Sequence, residues 1–390
     1  MSPIRIALIG LSSSAQTAWA ASAHLPYLLS PRGRANYTIV ALLNSSVAAA
    51  EAAIAAYNLP PSTKAYGSPS ELAADPDVDL VVCNTRVDVH ASTVRASIAA
   101  GKAVFCEWPL ARDVEEARGL VELARERGVL GKTVIGLQGR FSPLAFALRE
   151  IIGDGRIGRV VSSEFRSTGG LNVRDTIGEG LEYFMDWKVG GNAYTISFMH
   201  AFDTIQSVLG DVLKTTDEGL PLRGHFHIQH PHVKVIRGSE VVKTVTSDVP
   251  DLFYITGRLP ESPTTQKGAT IHLRLRAGQT FPGEPDATWT IHGEKGEIRV
   301  VWQNWLDIHR DEDKDRVRVD LHDFNSGKVE PMKYMWEKRE EEMPGAARGI
   351  GRLYEAFAEA QNNGKGEFGT FELALERHVQ LEELVGNWRA

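Results

Sequence analysis

The stretch that decides the fold lies at the start of the chain and reads Ile4-Arg-Ile-Ala-Leu-Ile-Gly10-Leu-Ser-Ser-Ser-Ala15. Its first six residues form a short apolar run, and a glycine, three serines and an alanine-rich segment follow. A buried strand that passes through a small-residue turn into a helix is typical of the first unit of a parallel βαβ sheet. The run is too short for a signal h-region or a membrane span. We therefore expect the chain to open with a buried parallel strand.

The same alternation of short β-branched runs and helical stretches continues to about residue 136. The predicted strands are Ile4–Ile9, Tyr37–Leu43, Lys64–Tyr66, Leu80–Cys83, Ala103–Cys106 and Thr133–Leu137. Strands of this kind with helices between them predict a doubly wound parallel sheet. After Gln138 the strands show period-two alternation, which favours a mostly antiparallel sheet. We expect a domain of residues 1–145 and an α+β domain of residues 146–390, whose C-terminal helices pack back on the body.

Composition excludes several classes of protein. The 390 residues are 43% hydrophobic and 24% charged, which excludes wholesale disorder. Lys and Arg number 43 against 50 Asp and Glu, a net charge of -7, which disfavours direct binding of nucleic acid. The two cysteines, Cys83 and Cys106, match neither a disulfide framework nor a CxxC pattern. We expect a protein that has no membrane segment and is located in the cytoplasm, with the nucleus as an additional location.

The turn after the first strand predicts a dinucleotide site. Gly10 occupies the first position of G-x-G-x-x-G, while Ser12 and Ala15 occupy the second and third. A small-residue turn before a helix lets backbone N–H groups and the helix dipole meet a pyrophosphate. The predicted contacts are therefore Gly10, Leu11, Ser12, Ser13 and Ser14. A plain strand–turn–helix connection explains the same pattern and stays open.

The end of the second strand bears on the choice of cofactor. Asn44, Ser45 and Ser46 stand where a dinucleotide fold usually has an acid that binds the ribose 2′-hydroxyl. These uncharged groups can donate to a 2′-phosphate without repulsion, so NADP is the expected cofactor, with NAD as the alternative. Asn44 is equally explained as a turn residue that ends a strand.

Six motifs in order resemble the glucose–fructose oxidoreductase/inositol dehydrogenase (Gfo/Idh/MocA) family over nearly the whole chain. They are Thr85–His90, Ala99–Lys102, Cys106–Ala111, Gln138–Pro143, Gly155–Gly158 and Gly190-Gly191-x8-His200-x2-Asp203. The resemblance implies an N-terminal Rossmann domain, with the nicotinamide at the carboxyl ends of the strands, and an open-faced C-terminal sheet that often forms a homodimer. The cofactor contacts that it implies are Thr85, Arg86, His90, Glu107, Trp108, Pro109 and Gln138. Pro109 is expected to follow a cis peptide.

The chain departs from this family at the proton relay. In family enzymes the fifth strand ends in Glu-Lys-Pro, and that Lys acts with an Asp four residues before the His. Trp108 and Ile196 stand at those positions here, and neither side chain transfers a proton. His200 remains, with Asp203 one helical turn further on. We expect His200 to be catalytic, with Lys188 or Tyr183 as alternative proton donors.

The Glu-Trp pair is similar to one branch of the family, the galactose-pathway transcriptional repressors of yeasts. Trp19, His24 and Pro26 in the first helix, together with Gly257 and Ile291–Gly293, add to that likeness. The resemblance to this branch implies a protein that binds a dinucleotide and masks the acidic segment of an activator without known catalysis.

Three functions therefore stay open. The first is hydride transfer to or from a small oxygenated, imine or enone metabolite. The second is a cofactor-sensing regulator that binds an acidic activator peptide, and the third is a lyase or epimerase that returns its borrowed hydride. No metal site is predicted, because His225-x-His227 and His230-x-His232 lack recognisable carboxylate or thiolate partners and read as an exposed strand edge.

Overall fold

The computed structural model describes residues 2–13, 17–169, 174–213, 222–304 and 316–389. The chain forms two compact units. Unit 1 contains residues 1–138, 188–191 and 338–379, and unit 2 contains residues 139–187, 192–337 and 380–390. A long C-terminal segment, Lys338–Val379, thus belongs to the N-terminal unit. The predicted domain bounds, 1–145 and 146–390, stay a prediction.

Unit 1 is built on a parallel sheet of six strands in the order β3-β2-β1-β4-β5-β6. The strands are β1 (Ile4–Ile9), β2 (Tyr37–Leu43), β3 (Lys64–Tyr66), β4 (Leu80–Cys83), β5 (Ala103–Glu107) and β6 (Thr133–Gly136). All four residues of β4 are fully buried, because a parallel sheet carries helices on both faces. The doubly wound sheet predicted from the sequence is confirmed. Its strand order reverses between β1 and β4, and ligands of such sheets bind at the carboxyl ends of the strands at that point.

Short capped helices connect these strands. They are a π-helical turn (Ala20–His24), α1 (Leu25–Leu29), α2 (Pro31–Asn36), α3 (Val47–Ala56), α4 (Pro69–Ala74), α5 (His90–Ala99) and α6 (Val114–Glu126), with 3-10 turns at Val87–Val89 and Leu130–Lys132. Side chains that accept a hydrogen bond from the first turn start several of them, as Ser46 does for α3 and Asp113 does for α6. These caps set where each helix begins.

The C-terminal helices complete the core of unit 1. They are α9 (Lys338–Glu341), α10 (Gly345–Asn363) and α11 (Phe371–Arg389), and α11 contributes residues to both units. Tyr354 of α10 is fully buried, stacks on Tyr27 at a ring-centroid distance of 5.4 Å, and contacts the Tyr37 ring at 5.2 Å. The first sheet therefore depends on residues more than 300 positions away for its packing.

Unit 2 is built on an eight-stranded sheet in the order β17-β16-β15-β14-β7-β13-β12-β9 and a three-stranded sheet in the order β11-β10-β8. Its strands are β7 (Val160–Thr168), β8 (Thr176–Gly178), β9 (Arg223–His227), β10 (His232–Arg237), β11 (Glu240–Thr246), β12 (Leu252–Arg258), β13 (Thr265–Arg276), β14 (Ala287–Gly293), β15 (Gly296–Trp302), β16 (Val317–Asp323) and β17 (Val329–Pro331). Pairing in the large sheet is antiparallel except for β7 with β13. The predicted mostly antiparallel sheet is confirmed.

The large sheet buries one face and leaves the other partly exposed. Along β14 every second residue is buried, and the indole of Trp289 donates to the Ser163 hydroxyl across the sheet at 2.8 Å. The helices of unit 2 are α7 (Pro143–Gly153), a π-helical segment (Ala193–Phe198) and α8 (Met199–Leu209), with 3-10 turns at Gln138–Phe141 and Glu179–Met185. In the described ranges, no helix of either unit is both long enough and apolar enough to cross a membrane.

Candidate functional site

The carboxyl edge of the six-stranded sheet is shaped by Gly10. Its backbone adopts φ +86°, and a Cβ at this position would lie 3.0 Å from the carbonyl oxygen of Asn84. The Gly10 N–H donates to Leu43 at 3.1 Å, and the Asn84 N–H donates to Ile9 at 3.1 Å. A glycine is required because only its backbone fits both the left-handed conformation and the close approach. The ends of β1 and β4 are thereby held side by side.

Asn84 is the most informative side chain at this edge. Its amide nitrogen and amide oxygen are both buried, and neither has a hydrogen-bond partner in the described structure. An unsatisfied buried polar group costs about 1–3 kcal/mol, so native proteins rarely keep one without a reason. The Asn84 amide therefore offers one donor and one acceptor beside the Gly10 turn. This pair suits a ligand that itself carries both an acceptor and a donor. A dinucleotide is such a ligand.

The turn after β1 is partly described. Leu11 is buried, Ser13 is exposed, and the Ser12 carbonyl accepts a hydrogen bond from the hydroxyl of Tyr57 at 3.2 Å. Ser14 and Ala15, which the sequence assigned to the dinucleotide turn, lie outside the described residues. Beyond them Ala18 adopts a left-handed conformation with φ +42°. A non-glycine residue pays for that conformation in stability.

Asn44 holds the edge together with its amide nitrogen. That nitrogen donates to the carbonyl of Leu11 at 2.9 Å and to the carbonyl of Ala49 at 3.2 Å. Both of its hydrogens are used, so only the amide oxygen is left to meet a ligand. Ser46 accepts from the Ala49 N–H as the cap of α3, and Ser45 is exposed. The donor role towards a 2′-phosphate that the sequence suggested for Asn44 is therefore not available to its nitrogen.

A buried chain of hydrogen bonds lies behind the end of β5. The His24 Nε2 atom is 2.8 Å from a carboxylate oxygen of Glu107, and its Nδ1 atom is 2.8 Å from the Tyr354 hydroxyl. In a neutral ring, Tyr354 donates to Nδ1 and the Nε2–H donates to Glu107, which satisfies every group. Burial raises the pKa of Tyr354 well above its ordinary value. Glu107 is thereby oriented, with lone pairs left to accept from a ligand hydroxyl.

Sequence reasoning missed this chain. In the sequence, His24 is singled out only as a residue of the first helix that adds to a family likeness, and Tyr354 is not singled out at all. The two are 330 positions apart. A local motif cannot show such a contact, and the signal that was present is the buried polar His24 within an apolar helix face.

His90 and Pro109 connect the loops that follow β4 and β5. The ring nitrogens of His90 lie 2.8 Å from the carbonyl of Pro109 and 2.8 Å from the carbonyl of Thr85. The Trp108–Pro109 peptide bond is cis. Arg86 is exposed and its guanidinium bonds to Asp88. Among the predicted cofactor residues, His90 thus holds the two loops in place.

Trp108, at the position for which the family resemblance implied a lysine, is buried. Only 4% of its surface is exposed, and its ring lies 4.8 Å from the ring of His378, centroid to centroid. Burial lowers the pKa of His378 to about 3, and the charge of His90 acts in the same direction. Neither ring carries a proton that it can give up at neutral pH. Gln138, another predicted contact, is buried with its amide oxygen unpartnered in the described structure.

The predicted catalytic residues fall in both units. His200 on α8 and Tyr183 belong to unit 2, whereas Lys188 belongs to unit 1. Tyr183 packs on the apolar cluster around Phe184, with the two rings 5.0 Å apart. His200 is buried, and the nearby carboxylate of Asp203 accepts two hydrogen bonds from Arg140, at 2.6 and 2.8 Å. The main described partner of Asp203 is therefore a guanidinium that the sequence did not suggest.

A parallel sheet with a glycine turn at the reversal of its strand order defines a dinucleotide-binding protein. Comparison with known proteins agrees. Residues 4–134 match the model of the oxidoreductase family with the NAD-binding Rossmann fold, and residues 143–301 match the model of the Gal80p C-terminal domain. The resemblance to the Gfo/Idh/MocA oxidoreductase family that the motifs predicted is thereby confirmed.

Relatives of two kinds are found. The dehydrogenase aclE of Aspergillus oryzae is 29% identical over 307 residues, which are 76% of each chain. The galactose/lactose metabolism regulatory protein GAL80 of Kluyveromyces lactis is 26% identical over 308 residues, 76% of this chain but only 64% of that protein. The structure of a super-repressor mutant of Gal80p from Saccharomyces cerevisiae superimposes with a TM-score of 0.84 at 21% identity, over 99% of this chain and 96% of that one. This last likeness shows the fold alone.

Proposed function

We propose that this protein binds NAD(P) at the carboxyl edge of the six-stranded sheet and transfers hydride between the nicotinamide and a small metabolite. The observation that carries the proposal is the Asn84 amide, buried with both polar atoms unpartnered beside the Gly10 turn. Gly10, Leu11, Ser12 and Ser13 would hold the pyrophosphate through backbone N–H groups. The bound nicotinamide would supply the hydride chemistry.

Glu107 and Asn44 would determine which hydroxyl groups of the dinucleotide are bound. The carboxylate of Glu107, held by His24, would accept a hydrogen bond from the nicotinamide ribose. The free amide oxygen of Asn44 is an acceptor, which suits the 2′-hydroxyl of NAD better than the 2′-phosphate of NADP. The hydroxyls of Ser45 and Ser46 repel neither the 2′-hydroxyl of NAD nor the 2′-phosphate of NADP. We therefore propose that both dinucleotides bind and that NAD binds more tightly, which reverses the preference read from the sequence.

The substrate class follows from the missing acid. Trp108 stands where the relay lysine would be, and the neutral His378 behind it has no acidic proton to lend. Reduction of an iminium carbon needs a hydride and no proton, and reduction of a conjugated double bond delays the proton until after the hydride has moved. We propose acceptors of these two kinds. His200 is the proposed proton donor where one is needed, and Tyr183 and Lys188 are the alternatives.

Absorbance at the reduced-nicotinamide band would test this activity with a panel of cyclic imines, enones, sugars and polyols. We expect the absorbance of the reduced nicotinamide to fall when imines or enones are added and to stay unchanged with polyols. His200→Ala should abolish turnover of any substrate that needs a proton and should leave dinucleotide binding intact. His322→Ala on β16 is the matched control and should retain both. Binding of dinucleotide without turnover of any panel member would refute the hydride-transfer proposal, while product formation with an unchanged band would indicate a borrowed hydride.

The second candidate is a cofactor-sensing regulator that binds an acidic activator peptide. It is favoured by the match of residues 143–301 to the Gal80p C-terminal domain and by the tryptophan in place of the relay lysine. Fluorescence anisotropy of a labelled acidic peptide would measure this binding, with a peptide of the same sequence in amide form as control. Tight binding that depends on dinucleotide and survives His200→Ala would support a regulator. Equal binding of both peptides would count against it.

We also propose a cytoplasmic homodimer that associates through the partly exposed face of the eight-stranded sheet. On that face, every second residue of β14 is half buried, and every second residue of β15 is half buried or exposed. Sedimentation velocity of the full chain would report the dimer, and Val301→Glu at this face should shift it towards monomer. An unchanged sedimentation coefficient would exclude this face.

A further inference from the structure

The two cysteines of the chain meet at the carboxyl edge of the six-stranded sheet. Cys83 ends β4, Cys106 lies in β5, and the two are direct partners in the register of these parallel strands. Both are free thiols and both are fully buried. The two sulfur atoms and a ring nitrogen of His90 all lie within 4.8 Å of one another. Neither proposed function uses these thiols.

The ring of His90 lies beside the two thiols. Each of its ring nitrogens lies 2.8 Å from a carbonyl oxygen, of Pro109 and of Thr85, and a carbonyl can only accept. A ring nitrogen that carries a hydrogen donates it to the carbonyl that it faces, so the ring is held in place beside the thiols. Its Nδ1 atom is also 3.4 Å from the sulfur of Cys106. An imidazole held beside a thiol can accept the thiol proton and so favour the thiolate, which is the reactive form.

The two thiols are not equivalent. The Cys106 thiol donates to Cys83 and lowers the pKa of the Cys83 thiol, and His90 and Thr85 act in the same direction. Burial raises the pKa of Cys106, and the neighbouring Cys83 raises it further. The arrangement resembles that of a dithiol in which one sulfur is the nucleophile and the other keeps its proton until it is needed.

We propose that Cys83 and Cys106 are a redox-active thiol pair that closes to an intramolecular disulfide, with hydrogen peroxide as the oxidant. The Cys83 thiolate attacks one peroxide oxygen, an S–O bond forms, the O–O bond breaks, and the departing oxygen leaves as water after taking a proton. The Cys106 sulfur then attacks Cys83, the S–S bond forms, and the second oxygen leaves as water with the Cys106 proton. Two thiols lose two electrons, and one peroxide becomes two waters.

The sheet geometry permits this closure. Neighbouring strands lie about 4.8 Å apart, and a disulfide accepts Cα separations of about 4.4–6.8 Å. Because the two residues are in register in a parallel pair, their side chains lie on the same face of the sheet. Full burial limits the oxidant to a small molecule and makes the reaction slow. Asn84 and Glu107 directly follow the two cysteines, so oxidation should also alter dinucleotide affinity, a consequence that rests on the proposed function.

Intact mass spectrometry of the full chain would test the pair. The protein is treated with hydrogen peroxide while folded, then denatured and alkylated with maleimide. We expect a loss of about 2 Da and no maleimide adduct, with both adducts restored by dithiothreitol. Two adducts without mass loss, or a disulfide-linked dimer, would overturn the proposal. The proposal is also overturned if oxidised glutathione reacts with the folded protein as readily as peroxide does. Such a large oxidant could reach the two buried thiols only after the protein unfolds.

Single variants would assign the roles. In Cys106→Ala we expect dimedone to trap a sulfenic acid on Cys83, and in Cys83→Ala we expect the Cys106 thiol to stay unmodified. Trapping on Cys106 alone would refute the assignment of the nucleophile. Dinucleotide affinity of the reduced and oxidised wild-type protein is measured separately. Failure of the reduced protein to bind would count against the proposed function only, and absence of the disulfide would count against the thiol pair only.

Discussion

Two regions of the protein differ in whether their buried polar groups are hydrogen-bonded. One is the carboxyl edge of the sheet in unit 1, and the other is the buried polar cluster of unit 2, formed by Asp203 of α8 and Arg140. At the edge, the Asn84 amide is buried with nothing to bond to in the described structure. In the cluster, both oxygens of Asp203 accept from Arg140, so the charges are paired within the protein. In an empty ligand site, buried polar groups lack hydrogen-bond partners, whereas in a cluster that supports the fold they bond to one another. This difference is the reason that we propose the first region as the binding site.

Breaking the satisfied cluster should have the largest effect on stability. Asp203→Ala leaves the Arg140 guanidinium without its carboxylate in a mostly buried position. Loss of one partner of a buried pair costs about 3–5 kcal/mol, and the partial exposure of Arg140 favours the lower end of that range. Urea unfolding followed by tryptophan fluorescence measures the change. The exposed Asp154→Ala is the control, and equal stability of the two variants would contradict the role given to the pair.

Removing the unsatisfied amide should stabilise the empty protein and damage its function. Asn84→Leu keeps the size of the side chain and removes two buried unpaired polar atoms, so the free energy of unfolding should rise by about 2 kcal/mol. Dinucleotide affinity, measured by calorimetry, should fall at least about tenfold, a loss of 1.4 kcal/mol or more. Asn44→Leu is the matched control and should destabilise, because its amide hydrogens are used. If Asn84→Leu is less stable than the wild type and binds dinucleotide normally, the unpartnered amide does not distinguish the carboxyl edge from the polar cluster.

The buried imidazole behind Trp108 should make the edge sensitive to acid. Because the pKa of His378 in the folded protein is lowered to about 3, the unfolded chain takes up a proton below about pH 6.5 while the folded ring does not. The free energy of unfolding therefore falls by about 1.4 kcal/mol per pH unit between pH 6.5 and 3, or about 2 kcal/mol by pH 5. His378→Leu should lack this slope. Parallel pH profiles of unfolding for the two proteins would show that His378 does not cause it.

The smallest expected effect concerns the turn that follows the first strand. Ala18 has φ +42°, a conformation that glycine adopts freely. Ala18→Gly should raise the free energy of unfolding by roughly 0.5 kcal/mol, after allowance for the greater freedom of glycine in the unfolded chain. Ala21→Gly in the following helical turn should lower it by about 1 kcal/mol. Thermal denaturation of both variants checks the two signs, and equal destabilisation would show that Ala18 is unstrained.

Local patterns predicted the first sheet well and its site only in part. The bounds of β1 to β4 agree with the sequence. For β1, β2 and β4 the reason is a largely apolar run closed by turn residues, and Gly10 was placed at the turn that requires it. The engagement of the Asn44 nitrogen was not foreseen, since it depends on how the backbone folds around it. Asn84 gave no signal either, because only a structure shows that an amide lacks a partner.

The hydrogen-bond chain through His24 has a consequence for how the protein is made. Tyr354, which completes the chain, is synthesised long after the six strands and Glu107 have left the ribosome. Until then His24 is a polar ring in an apolar helix face without its second partner. The carboxyl edge therefore matures only after Tyr354 has been made, and a fragment ending at residue 138 would contain every strand of the sheet but would lack the second partner of His24.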